Sequence, residues 1–200
     1  MTESGEGFKQ ILVVDLEATC WKKKPPPGQQ NEIIEIGVCR VDLETFEIED
    51  ARGLIVKPTR SQVSDFCTKL TSITPEMAED GITFAAACDV LRNEYQSAAL
   101  PWTSWGAYDL RMFRWQSESF AVPYPFSAHH IDLKGVYAAL RNKGKRIGMA
   151  RALKNLELSM EGRHHRGVDD AYNTARILLD MLKREGLDFM RKHMEENWSA

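Results

Sequence analysis

Two hundred residues, 43% of them hydrophobic, can bury one substantial core and are too few for two. A net charge of −3 speaks against a protein that coats nucleic acid with its whole surface. No apolar run reaches the roughly 18–20 residues that a membrane helix needs, and the polar first ten residues carry no secretory pattern, so a soluble, cytoplasmic chain is expected. Cys20, Cys39, Cys67 and Cys88 lie far apart with no Cys-x-x-Cys pair, which argues against a zinc ribbon and leaves them as reduced packing residues.

The first strand opens with Ile11, Leu12, Val13 and Val14, three of them β-branched. It runs into Asp15, Leu16 and Glu17, and because side chains alternate across a strand the two acids share a face. Two carboxylates side by side at the end of a buried strand repel unless a cation lies between them. A strand that merely ends at the surface would look the same locally, so other inward acids must join the pair. Lys22, Lys23, Lys24 and the following Pro25, Pro26 and Pro27 predict an exposed loop. Residues 32–41 and the stretch from 46–50 into 53–58 predict two more strands, giving an antiparallel meander.

After Pro58 the period becomes helical. Thr74, Pro75 and Glu76 form a helix start, and Phe84, Ala87, Cys88, Leu91 and Tyr95 follow at spacings of three and four. Residues 102–107 form a short strand-like run ending near Asp109, whose helical face carries Met112 and Phe113. Asp109 is therefore expected to face inward, though a helix-capping role fits its position equally well. Residues 131–140 and 149–156 predict two short helices. From Lys134 to Arg166 nine lysines and arginines stand against two acids, making Arg141, Lys143, Lys145 and Arg146 candidate phosphate contacts.

A last helix is predicted through Lys183, preceded by His164, His165, Arg166 and Gly167. Asp169 falls on a polar stripe with Asn173, Arg176, Asp180 and Lys183, whereas Asp170 falls on the apolar stripe with Ile177, Leu178 and Met181. Asp170 thus points at the core. His165 is about 140° out of phase with it on a helix, but Gly167 lets a preceding loop bring a histidine over the same pocket. Four inward carboxylates and a histidine suit hard divalent cations and metal-assisted hydrolysis of a phosphate ester.

The segments Asp15-Leu16-Glu17-Ala18-Thr19, Leu70-Thr71-Ser72-Ile73-Thr74, Ser104-Trp105-Gly106-Ala107-Tyr108-Asp109 and His165-Arg166-Gly167-Val168-Asp169-Asp170 resemble, in order, the motifs of the DEDDh 3′-to-5′ exonucleases. The likeness covers residues 8–184. It points to the subgroup of the histone-mRNA 3′-end exonuclease and its bacterial relatives, through Cys20 after the first motif and the Ser64-Asp65-Phe66-Cys67 segment. The resemblance implies an α/β, RNase H-like single domain with a mixed five-stranded sheet flanked by helices, followed by a helical tail over 185–200. No room is expected for that subgroup's accessory nucleic-acid-binding domain.

The resemblance also implies two Mg²⁺ or Mn²⁺ ions per site. Asp15, Glu17 and Asp170 would hold one, Asp109 would help hold the second with Asp15 bridging, and His165 would be the general base. Ala18, Thr19, Leu70, Ile73 and His165 would contact the terminal nucleotides. Ser72 departs from the family's usual glycine, and Trp105 from a usually small or polar residue, so the shape of the base pocket is this chain's own. The implied activity is release of nucleoside 5′-monophosphates from single-stranded 3′ ends of RNA or DNA. Loss of an acid or of the histidine would mark a catalytically idle binding module, and none is lost. A phosphodiesterase acting on small nucleotides remains the open alternative.

Overall fold

In the computed structural model residues 8–196 and 198–199 are described; most of the first ten residues, on which the expectation about a secretory pattern rests, lies outside them. The sheet runs in the order β3 (Ile48–Ile55), β2 (Ile33–Asp42), β1 (Gln10–Ala18), β4 (Trp102–Ser104), β5 (His130–Asp132), β6 (Trp198–Ser199). The first three strands form the expected antiparallel meander; β4 and β5 join parallel to β1, and the two-residue β6 extends the mixed five-stranded sheet at its edge.

The eight helices are α1 (Asp65–Thr71), α2 (Pro75–Glu79), α3 (Phe84–Glu94), α4 (Tyr108–Ser119), α5 (Leu133–Arg141), α6 (Met149–Asn155), α7 (Gly167–Glu185) and α8 (Leu187–Glu196). They cover both faces of β1, which explains its unbroken apolar run. Ile11 and Val13 pack with Leu133 and Val136 of α5, Leu153 of α6 and Ile177 and Leu178 of α7. Leu12, Val14 and Leu16 pack on the other face with Phe84 and Leu91 of α3 and Phe113 of α4. All four residues from Ile11 to Val14 are fully buried, each contributing about 1.5–3 kcal/mol of apolar burial. Among the described residues no helix is long and apolar enough to cross a membrane.

Three elements differ from the sequence expectation, and a fourth, in the tail, follows it. Ile131 opens no helix: it is the centre of β5, a strand too short to show alternation, and the helix starts at Leu133 because Asp132 accepts from the Gly135 N–H at 3.0 Å. Helix α1 was not foreseen; Ser64 caps it by accepting from the Cys67 N–H. The helical stretch after Thr74 divides into α2 and α3 where Ile82 bridges to Val56 and a side chain at Gly81 would meet the Ile55 carbonyl at 2.9 Å. Beyond Gly186 (φ +87°), α8 adds Met190, fully buried, to the α7 cluster.

Ser72 ends α1 with φ +63°, donating its N–H to the Thr68 carbonyl. The left-handed conformation explains why glycine suits this place, since a Cβ there is strained. Ser72→Gly is expected to stabilise the fold by about 0.5–1 kcal/mol, raising the thermal midpoint by roughly 1–3 °C in a calorimetric scan.

Candidate active site

Alternation along β1 sends Asp15 and Glu17 to the face that carries α7, where Asp170 sits at 4% exposure. One carboxylate oxygen from each of these three acids lies within 4.8 Å of the others. They line a cavity of about 270 Å³ together with Asp109, His164 and His165, and Trp105 and Tyr108 form an aromatic wall. Asp109, at the first turn of α4, stands a step back: its Oδ1 accepts from the Leu16 N–H at 3.1 Å. Of the two readings of Asp109 the inward one holds: α4 starts at the N-cap Ala107 with no side-chain cap bond, and Asp109 is buried against β1.

The close approach of α7 to the sheet depends on two glycines. Gly37 is the register partner of Asp15, and a Cβ on it would lie 1.9 Å from the Gly167 carbonyl oxygen and 2.4 Å from the Val168 nitrogen. A side chain on Gly167 would in turn meet the Gly37 nitrogen at 3.0 Å and the Asp15 carbonyl at 3.3 Å. Backbone rests on backbone here, bringing the first turn of α7, and hence Asp170, against the end of β1.

Beside this contact lies an anchor absent from the sequence reading. Glu35, entirely buried on β2 opposite Glu17, accepts two hydrogen bonds from the Arg166 guanidinium at 3.0 Å each and one from the Gly167 N–H at 2.9 Å. Glu35 alternates with Ile34 and Ile36, so only its inward phase hinted at a charged partner; nothing local named Arg166. The polar stripe of α7 is also not simply solvated. Asn173 is fully buried and bonds both the N–H and the carbonyl of Glu161, while Asp169 accepts from the Arg163 N–H, tying down the loop that carries the histidines.

The loop brings both histidines to the cavity. His165 takes φ +65°, donates its backbone N–H to Asp170 Oδ2 at 2.9 Å, and has Nδ1 3.9 Å from Glu17 Oε1. His164, exposed on its outer side, has Nδ1 at 3.0 and 2.9 Å from the two Asp170 oxygens.

Two residues expected at the substrate have buried side chains. Thr19 is fully buried, its hydroxyl donating to the Gln30 carbonyl and accepting from the Glu32 N–H; Ile73 is fully buried with Ile34 and Cys67. Neither presents a side chain to a strand. Ala18 is nearly buried, Leu70 is half-buried, and neither lines the cavity of the acids. Tyr108, 48% exposed at the cavity wall, is the aromatic surface that sequence reasoning passed over. Of the basic candidates, Arg141 pairs with Glu185 and Arg146 with Asp132, while Lys143 and Lys145 are exposed.

Burial and mutual repulsion shape the electrostatics. Asp15 is pushed well above the usual carboxylate range by desolvation and then by Asp109, Asp170 and Glu17. Desolvation, then Asp170 and Glu35, raises Glu17 to about 8, and desolvation raises Asp109 to about 6. Asp170 is also raised, chiefly by burial, against the histidine contacts that lower it. Burial and then His164 lower His165, so its imidazole is neutral at pH 7.

Acids whose folded pKa lies above the unfolded value bind more protons when folded, so stability falls as pH rises between the two values. The chelator-treated protein should therefore lose stability between about pH 4.5 and 8, by an amount on the order of a few kcal/mol, and Mg²⁺ should restore it most at the alkaline end. Thermal melts at pH 5 and 8 with EDTA or Mg²⁺ measure this; equal midpoints in EDTA would show that the acids do not interact.

Among the described residues no lysine or arginine forms an ion pair with Asp15, Glu17 or Asp170. An oxygen-only set of clustered, proton-hungry acids fits a hard divalent cation. Residues 12–178 match the RNase_T family model, described as Exonuclease.

The chain belongs to this exonuclease family.

This exonuclease-family chain is 27% identical to "3'-5' exonuclease Snipper" of Drosophila melanogaster, the match covering 94% of this chain and 74% of that protein. It is 31% identical to "3'-5' exoribonuclease 1" of Homo sapiens over 88% of this chain, and spans 53% of the human protein, about half its length. The crystallographic structure of the nuclease domain of 3'hExo, a DEDDh family member bound to rAMP, aligns with a TM-score of 0.82 at 28% identity, covering 93% of this chain and 97% of that one. The DEDDh grouping and the RNase H-like fold implied by the motifs are those of these relatives.

Proposed function

We propose that the chain is a 3′-to-5′ exonuclease that removes nucleoside 5′-monophosphates from single-stranded 3′ ends, of RNA in preference to DNA, with two Mg²⁺ or Mn²⁺ ions. The observation that carries this reading is the meeting of Asp15, Glu17 and Asp170 in one cavity beside a neutral His165. The human relative's name as an exoribonuclease and the rAMP in the aligned structure support the choice of substrate and product.

Asp15, Glu17 and Asp170 would hold one cation, and Asp109 with Asp15 the other. Bound cations supply charge neutralisation and Lewis-acid stabilisation at the phosphate. The rest belongs to the chain's own groups. His165 is half-exposed at the cavity and uncharged, so it can accept the proton of an attacking water. Tyr108 offers its exposed ring as a sequence-tolerant stacking surface for the terminal base. Trp105, which lines the same cavity, is pinned by donation from Nε1 to the Ile147 carbonyl at 3.1 Å.

Digestion of 5′-labelled RNA and DNA oligonucleotides with Mg²⁺ tests the reading. A ladder of shortened strands, faster for single-stranded RNA and abolished by EDTA, is expected. Intact strands beside hydrolysed dinucleotides would favour a phosphodiesterase, and no hydrolysis of either an idle binding module. His165→Ala is expected to slow hydrolysis about 10²–10⁴-fold while strand affinity, followed by fluorescence anisotropy in Ca²⁺, is kept. Parallel loss of both would make the histidine structural.

A further inference from the structure

We propose that His164, His165 and Asp170 form a second metal site, one that takes Zn²⁺ and, by taking it, switches hydrolysis off. Adjacent side chains in extended chain diverge, but the left-handed turn at His165 sets the two imidazoles side by side, with ring centroids 3.9 Å apart and planes at 22°. One donor atom from each histidine and from Asp170 falls within a 4.8 Å cluster. Glu17 Oε1 lies 3.9 Å from His165 Nδ1, outside that group of three and within the one it forms with Asp15 and Asp170.

Donors around a tetrahedral Zn²⁺ with bonds of about 2.0–2.1 Å stand roughly 3.3 Å apart. The His164 to Asp170 separations, 2.9 and 3.0 Å, lie close to that value, and all three donors fall within 4.8 Å of one another. Both imidazoles are about 40% exposed, so an ion can reach them from solvent. Imidazole nitrogen favours borderline transition ions, whereas Mg²⁺ prefers oxygen and octahedral geometry. The two sites therefore differ in what they select while sharing Asp170. Zn²⁺ held there removes one acid from the all-oxygen cluster and occupies the imidazole expected to act as base. The site itself stands without the exonuclease reading; the inhibition rests on it.

The test is titration of Zn²⁺ alone into chelator-treated protein by calorimetry, with Co²⁺ as a visible-absorption probe, for the wild type and His164→Asn. The asparagine amide can still donate to Asp170 but offers no imidazole. Expected are one tight Zn²⁺ and an intense tetrahedral Co²⁺ spectrum in the wild type, with Zn²⁺ affinity at least about tenfold weaker in His164→Asn. In Mg²⁺-supported digestion, Zn²⁺ should inhibit the wild type at least about tenfold more potently than His164→Asn, each measured against its own rate without Zn²⁺. Equal Zn²⁺ affinities, or a weak octahedral Co²⁺ spectrum, would overturn the site. Zn²⁺ binding that depends on His164 in a protein that digests no strand would leave the site standing and overturn the exonuclease reading instead.

Discussion

Asp15→Asn is expected to reduce strand hydrolysis by about three orders of magnitude or more while leaving the metal-free protein as stable as the wild type, or about 1 kcal/mol more so. Four other acids press on Asp15: Asp109, Asp170, Glu17 and Glu35 all raise it, after desolvation. Its oxygen is part of the cluster with Glu17 and Asp170, so the uncharged isostere removes a cation donor where no nearby side chain replaces it. The same change removes one member of a repelling group, so the folded apo state loses a cost and no hydrogen-bonded partner. Single-turnover digestion and a chelated thermal melt measure the two halves separately. A variant that keeps its rate would show that the carboxylate cluster is not the catalytic centre, and one that unfolds would show that Asp15 has a structural role instead.

Gly37→Ala is expected to cost about 3 kcal/mol or more and to take hydrolysis down with it. A methyl group at that position would be driven to 1.9 Å from the Gly167 carbonyl oxygen, and the nearest atoms are all backbone, so no side chain can swing aside. Either β2 or the first turn of α7 must shift, and overpacking of this kind usually costs about 1–3 kcal/mol, more where backbone cannot yield. Because Gly37 pairs with Asp15 and Gly167 begins the helix that carries Asp170, the shift separates two acids that meet within 4.8 Å. Denaturant unfolding gives the stability change, and Mg²⁺-induced stabilisation of the folded fraction reports the acid spacing. A fully stable, Mg²⁺-responsive Gly37→Ala protein would contradict the backbone contact.

Local periodicity was a good guide wherever one element buries one face. The unbroken apolar run of β1, the meander that follows, the capped start at Thr74 and the inward face of α4 were all written in spacings of two, three and four residues. So was the division of labour on α7: Asp170 is 4% exposed on the apolar stripe, and Asp169 lies outside the acid cluster. Three-residue β5 and seven-residue α1 escaped because segments so short complete too little of a period. The base-contact roles of Thr19 and Ile73 came from likeness rather than from any burial signal, and both side chains are turned into the body of the fold.

By itself, then, the amino-acid order determined which carboxylates face inward and that they end core elements, because side-chain phase follows from the chain's own repeat. Only the tertiary structure decided how near they come: the Gly37–Gly167 contact, the Glu35–Arg166 anchor and the loop that stacks His164 on His165 are meetings of distant segments. Such distances depend on how closely two backbones can approach and on which polar groups remain to be satisfied once they do. Neither is a property of any single stretch of sequence.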